Sequence, residues 1–151
     1  MPAFDLDSFL PYKLDVVATQ VSRRLSERYA GASGLSMPEW RVVAHLSRAG
    51  MVSVRDIAAR ANLHKSLASR ATDRLHAAGL VTKTQDKTDR RLVALRLTRK
   101  GEALMRQIEI VAGAFQSELA QALGADAAAF ERGLGAVRAL TQDAETDAAT
   151  W

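Results

Sequence analysis

Between Arg60 and Arg106 the chain carries twelve Lys or Arg residues against four acids, Asp73, Asp86, Asp89 and Glu102, a local net of +8. From Gln107 to Trp151 two basic residues meet seven acidic ones, a net of −5, and the whole chain carries only +4. The positive charge is therefore concentrated. Each phosphate neutralised by Lys or Arg releases a condensed counterion, so a cluster of this kind has the chemistry of a polyanion-binding surface. A solvated charged face would show the same charge, and the residues between the cations separate the two. Lys65, Ser66, Ser69 and Arg70, with Arg74 at the border, set short hydrogen-bonding side chains between long cations. A helix built this way can enter a major groove closely and still reach base edges and phosphates. A second group, Lys87, Asp89, Arg90 and Arg91, falls at the tip of a hairpin pattern.

No catalytic constellation accompanies these cations. His45, His64 and His76 have no Cys and no HExxH-like spacing near them, so no metal site is expected, and no glycine-rich phosphate loop with its Lys is present. The chain therefore does not read as an enzyme, and no cofactor is expected. With no Cys among 151 residues, disulfides, zinc-thiolate sites and thiol redox sensing are all excluded. No apolar run of about 18 or more residues could span a bilayer, and the N-terminus lacks the pattern of a signal peptide. A soluble, cytoplasmic protein without a membrane partner is expected.

The elements that must position the two cationic groups follow from periodicity and punctuation. Phe4, Leu6 and Phe9 lie in a segment too short to fold alone, which should dock on something. Leu10, Leu14, Val17, Val21, Leu25 and Tyr29 recur at three-and-four spacing, predicting a first helix ended by Gly31 and Gly34. Ser36, Pro38 and Glu39 are a helix start, opening a second helix from about Met37 to Arg48. Ser53 opens a short third helix through Ile57, Ala58 and Ala61, Asn62 and Leu63 make a turn, and a fourth helix runs from His64 or Lys65 to Ala78. Gly79 stands where a left-handed residue should end it, and Ala68, Ala71, Leu75 and Ala78 share its inner side. Leu80 to Thr84 and the alternation of Val93, Leu95 and Leu97 predict two strands around a polar turn at Gln85 to Asp89. Thr98 caps a long fifth helix, Gly124 breaks it, Asp126 caps a sixth, and the tail beyond Gln142 reads as frayed.

The residues Ile57-Ala58, Lys65, Ser69-Arg70, Leu75, Gly79-Leu80-Val81 and Asp89-Arg90-Arg91, followed by Leu95, Leu97-Thr98 and Gly101, resemble the MarR family of winged helix-turn-helix transcriptional regulators. In that family Asp, any residue, Arg, a strand ending Leu-Thr and a Gly three residues later mark the wing and the next helix. Asp89, Arg91, Leu97, Thr98 and Gly101 stand at those spacings. The match covers about Leu35 to Gly101. The resemblance implies a mainly α protein with a small β-hairpin wing, a winged helix-turn-helix flanked by N- and C-terminal dimerisation helices. The segments would be 1–34 for the N-terminal dimerisation helix, 35–99 for the DNA-binding lobe and 100–151 for the C-terminal dimerisation helices, together one intertwined domain.

It further implies a homodimer on a roughly palindromic double-stranded operator, usually acting as a repressor. His64, Lys65, Ser66, Ser69, Arg70 and Arg74 would contact DNA from the recognition helix, and Lys87, Asp89, Arg90 and Arg91 from the wing. His64 stands where many members open this helix with an acidic or small polar residue. Neutral, it can cap the helix; protonated, it adds a phosphate contact. Arg91 is placed at the wing position that follows the minor groove, and Asp89 is expected to hold Arg91 or the turn.

Family members often bind small aromatic carboxylates, phenols or larger acyl conjugates in the crevice between the DNA-binding lobe and the dimer helices. Tyr12, Arg23, Trp40, Arg41 and His45 would suit an aromatic acid, since an aromatic wall with a cation fits that chemistry. The competing reading makes Trp40 core and Arg41 a partner in an intramolecular ion pair. The expected function is thus a ligand-released repressor. The alternative is a winged-helix protein acting constitutively on DNA or through protein contacts, without a ligand.

Overall fold

A computed structural model describes residues 4–148. Six helices and three strands follow one another as α1 (Leu10–Ser33), α2 (Met37–Ala49), β1 (Met51–Ser53), α3 (Val54–Arg60), α4 (Lys65–Ala77), β2 (Val81–Gln85), β3 (Val93–Leu97), α5 (Arg99–Leu123) and α6 (Ala127–Ala148), with a 3₁₀ turn at Gly124–Asp126 before the last. The chain divides into two compact units, residues 1–112 and 113–151.

In the first unit, capping fixes most helix starts. The Ser36 hydroxyl accepts from the Glu39 amide at 3.4 Å while the Glu39 carboxylate accepts from the Ser36 amide at 3.0 Å, a reciprocal box opening α2. The Ser53 hydroxyl accepts from the Asp56 amide to open α3. Gly34, Gly50 and Gly79 close α1, α2 and the end of α4 with positive φ. Gly31 does not end α1 as expected: an isolated glycine inside a helix costs only about 1 kcal/mol, and Gly34, at φ 70°, supplies the stop.

The wing contains one more strand than the hairpin expected. Strand β1 pairs antiparallel with β3, matching Val52 to Leu95, so the sheet order is β1-β3-β2. Three residues after Gly50, the last of them the Ser53 cap itself, leave no alternation to detect, and only pairing with β3 makes them a strand. Gln85 belongs to β2, paired with Val93, and the polar turn is correspondingly shorter at its start. Val42, Val43 and Leu46 of α2, Ile57 of α3, Leu75 of α4 and Leu95 of β3 are almost fully buried in one core, which also takes Tyr29 from α1 and Ile108 from α5.

The apolar stripe of α1 is covered unevenly: Tyr29 is buried, whereas Leu10 and Val17 are more than half exposed. Phe4 and Phe9 meet edge to face at 5.3 Å but both remain exposed. In the second unit Phe130, Leu134, Val137 and Leu140 recur along α6 and are all exposed. Asp126 lies inside the 3₁₀ turn, and α6 continues past Gln142 to Ala148.

Candidate nucleic-acid interface

The helix-turn-helix is built from α3, the Ala61–Leu63 turn and α4. Asn62 takes φ 51°, which Asn tolerates better than most residues, and the Leu63 amide donates to the Ala58 carbonyl at 2.9 Å. Two carbonyls left over at the end of α3 are met from α2: Arg41 Nη1 donates to the Asn62 oxygen at 3.2 Å and the Ala61 oxygen at 3.5 Å. The expected intramolecular ion pair of Arg41 is thus replaced by bonds to neutral carbonyls, because orphan carbonyls at a helix end are strong acceptors.

On α4 the buried residues are Ala68, Ala71, Thr72 and Leu75. Ala78, expected on this side, lies past the helix end and is exposed. Thr72 takes its place, with its hydroxyl donating to the Ala68 carbonyl at 2.7 Å, so that a polar residue is tolerated in the core. His64 occupies the N-cap position with extended backbone, yet its side chain makes no capping bond, which corrects the capping role expected of it. His64, Lys65, Ser66, Ser69 and Arg70 are all exposed. No described residue forms a side-chain hydrogen bond or ion pair with any of these five.

The second half of α4 is different. Arg74 lies 3.6 Å from the carboxylate of Glu39, the buried member of the capping box, and Asp73 pairs with Lys83 on β2. His76 donates from Nδ1 to the Val81 carbonyl at 3.0 Å. Beyond the helix, the Thr98 hydroxyl donates to the Gly79 carbonyl at 2.7 Å and accepts from the Gly101 amide at 3.0 Å, and Lys100 donates to the Ala78 carbonyl at 3.0 Å. Gly101 is required here by space: a Cβ on it would lie 2.2 Å from the Leu80 carbonyl oxygen.

At the wing tip, Asp86 accepts from the Thr88 amide at 2.7 Å, the Thr88 hydroxyl at 2.6 Å and the Asp89 amide at 3.1 Å. The Thr88 hydroxyl, then the Asp89 and Thr88 amides, hold its carboxyl below the usual range. Asp89 accepts from the Arg91 amide at 3.0 Å and lies 3.7 Å from the Arg91 Nε. Lys87, Arg90 and Arg91 are exposed. Arg55, in the first turn of α3, carries no signal of its own in the sequence because it stands inside a cap pattern. It is exposed and lines a cleft of about 470 Å³ with Asp89 and Arg91.

Three of the five effector candidates come together. Trp40, Arg41 and His45 line a cleft of about 370 Å³ with Ala44, Arg60, Ala61 and Asn62. Trp40 stacks on the buried Tyr29 at 4.7 Å, and the Trp40 Nε1 and Tyr29 hydroxyl are buried without a hydrogen-bond partner among the described residues. Burial pushes the Tyr29 hydroxyl pKa up. Burial, and then Arg48, Arg60 and Arg41, depress the pKa of His45. Tyr12 and Arg23 are not in this cleft: both sit further along α1, Tyr12 exposed and Arg23 beside Glu27 at 3.8 Å. Among the described residues no group of three or more His, Cys, Asp or Glu could hold a metal ion, and no helix is long and apolar enough to cross a membrane.

A family model described as MarR family matches residues 33–92. Among solved structures, a MarR family transcriptional regulator from Silicibacter pomeroyi is 30% identical, with a TM-score of 0.75 over 92% of this chain and 97% of that one. The PcaV transcriptional regulator from Streptomyces coelicolor, solved with its natural ligand, is 23% identical, with a TM-score of 0.75 over 95% of this chain and 99% of PcaV. Wild-type MarR from E. coli in its apo form is 24% identical, with a TM-score of 0.71 over 85% of this chain and 96% of MarR. No curated protein matches the chain.

Proposed function

Since the chain belongs to the MarR family, whose members are DNA-binding transcriptional regulators and not enzymes, we propose that it is a cytoplasmic homodimeric repressor that occupies a palindromic operator and is released by a small aromatic acid. The observation that carries the operator reading is the division of α4. Lys65, Ser66, Ser69 and Arg70 are exposed and without side-chain partners among the described residues, while the charges of its second half are tied to the lobe. In this reading the first half of α4 enters the major groove. His64, Arg55, Lys87, Arg90 and Arg91 meet phosphates or the minor groove, Asp89 orients Arg91, and Arg74 supports the helix more than it reads bases. The exposed apolar residues of α1 and, separately, those of α6 support a dimer, because an apolar stripe facing solvent along a helix needs covering. The division into 1–34, 35–99 and 100–151 follows from the same reading.

The Trp40, Arg41 and His45 cleft supports the effector: it combines an indole wall with cations and has no carboxylate in its lining. That PcaV was solved with a natural ligand gives a precedent for ligand binding on this fold. An effector must favour the state that does not bind DNA, since equal affinity for both states shifts nothing. Selection of bound DNA from random sequence tests the reading, followed by release assays with aromatic carboxylates and their thioesters. Paired half-sites about 10 bp apart are expected, as two symmetry-related recognition helices require. Enrichment without paired half-sites would sink the dimeric operator, and an unchanged affinity with every acid would leave a constitutive DNA-binding protein.

A further inference from the structure

The cleft beside Trp40 and the turn that opens the recognition helix share one side chain. Arg41 lines the cleft, and its guanidinium also donates to the carbonyls of Ala61 and Asn62, the two residues between the end of α3 and Leu63. Those bonds join a charged donor to neutral acceptors. A carboxylate is a stronger acceptor for the same guanidinium, because a charge-assisted bond is roughly twice as strong as a neutral one and a carboxylate can take two parallel N–H groups.

Nothing in the cleft lining competes with an anion: Arg60 also lines it, without an ion-pair partner among the described residues, and the lining holds no Asp or Glu. Burial first, and then the positive charges of Arg48, Arg60 and Arg41, lower the basicity of His45, so cations crowd this cleft. We infer that Arg41 is a latch: an aromatic carboxylate in this cleft draws its guanidinium away from the Ala61 and Asn62 carbonyls and thereby loosens the turn that sets the recognition helix. The inference rests on the effector reading above and adds its route.

Two opposed effects decide the sign. Neutralising Arg41, Arg48 and Arg60 by an anion relieves repulsion and would tighten the lobe. Removing two bonds from the turn leaves carbonyls to find water and loosens it. The turn is exposed at Asn62, so water can take over those carbonyls, and the freed turn samples more conformations. Since coupling between sites is reciprocal, operator DNA that holds the turn closed must weaken carboxylate binding by the same factor.

The test is hydrogen exchange of the segment 58–66 in the full chain without DNA, with benzoate and 4-hydroxybenzoate as probes and their binding followed separately by calorimetry. In the wild-type chain a bound probe should speed exchange at Leu63 and its neighbours by about fivefold or more, in line with the usual range of coupling between sites. Arg41→Gln should already exchange fast without the probe and respond little to it. Arg41→Lys, which keeps the charge, covers the case in which the Gln variant does not fold; its single ammonium cannot offer the two parallel donors, so its response should be reduced.

A probe that binds yet leaves the turn's exchange unchanged or slower overturns the latch and leaves the effector reading standing. A full wild-type response in Arg41→Lys also overturns the latch. If neither acid binds, the aromatic-acid reading of the cleft fails and the latch falls with it.

Discussion

The recognition helix and the wing tip both expose cations, and they are held in opposite ways. Helix α4 is fastened to other elements of the lobe, by Arg74 to Glu39 on α2, by Asp73 to Lys83 on β2 and by His76 to the Val81 carbonyl of β2. The wing tip is held from within, by Asp86 on Thr88 and Asp89 and by Asp89 on Arg91. The contrast divides the concentrated positive charge into two kinds. Arg74, Lys83 and Lys100 are engaged with acids or carbonyls of the lobe, whereas Lys65, Arg70, Lys87 and Arg90 point their charge at solvent. Local charge density therefore overstates the number of groups free to meet phosphate.

The most damaging way to break this contrast is at the joint both regions share. Gly101→Ala would drive a methyl group into the Leu80 carbonyl, between the end of α4 and the start of β2. Forcing extra volume against rigid backbone costs typically 1–3 kcal/mol, and the gain in helix propensity offsets only about 1 of it. With a cost at the upper end of that range, because the clash is with backbone, a net loss of roughly 2 kcal/mol is expected in denaturant unfolding. Gly31→Ala is the control: its Cβ would meet nothing within 4 Å, so it should stabilise by up to about 1 kcal/mol. Equal behaviour of the two variants would mean the joint is not rigid.

The contrast within α4 is sharpened by comparing its two arginines. Arg70→Ala should cost about 1–3 kcal/mol on the selected operator and less on mismatched DNA, as loss of a base contact does. Arg74→Ala should weaken all sequences alike and lower stability by less than about 1 kcal/mol, because its pair with Glu39 is largely exposed on the arginine side. A sequence-dependent loss at Arg74 would extend the reading surface along the whole helix.

Smaller effects are expected in the wing. Arg91→Ala should weaken binding across sequences and lower the salt slope by about one, the mark of one lost phosphate-like contact. Asp89→Ala removes a negative charge, so electrostatics alone predicts tighter binding; the bond from the Arg91 amide predicts looser binding, because the tip loses its brace. Affinity against salt decides between them, and tighter binding would end the bracing role of Asp89.

The least effect concerns pH. The Asp86 carboxyl titrates below its ordinary 3.8, so its contribution to the tip is complete above that value and fades as pH falls through the lowered one. Amide exchange at Thr88 and Asp89 should rise there before the lobe unfolds. Simultaneous unfolding of tip and lobe would contradict a locally held wing.

These differences bear on what could be read from sequence. Ser36, Ser53, Thr98 and Gly79 are local signals, and each stands where its cap or stop was expected, because capping depends on atoms within a few residues. The wing pattern from Asp89 to Gly101 was legible through its resemblance to the family, whereas the contact that demands Gly101 comes from the Leu80 carbonyl, far away in the chain. Arg74 with Glu39, and Arg41 with the Ala61 and Asn62 carbonyls, join residues far apart in the chain, and no periodicity announces them. Strand β1 escaped because its partner strand defines it. Tyr12 and Arg23 were grouped with Trp40 on residue type alone, without a contact to bring them together.

The closed wing tip has a consequence for how such a protein can change over generations. Its turn satisfies its own polar groups through Asp86 and Asp89, so residues such as Lys87 and Arg90 can be exchanged without disturbing a bond to the core. The recognition helix has no such freedom in its second half, where each charged side chain also serves the lobe. Drift toward new DNA targets is therefore cheapest at the tip and at the first turns of α4, while the rest of the lobe is inherited as a unit.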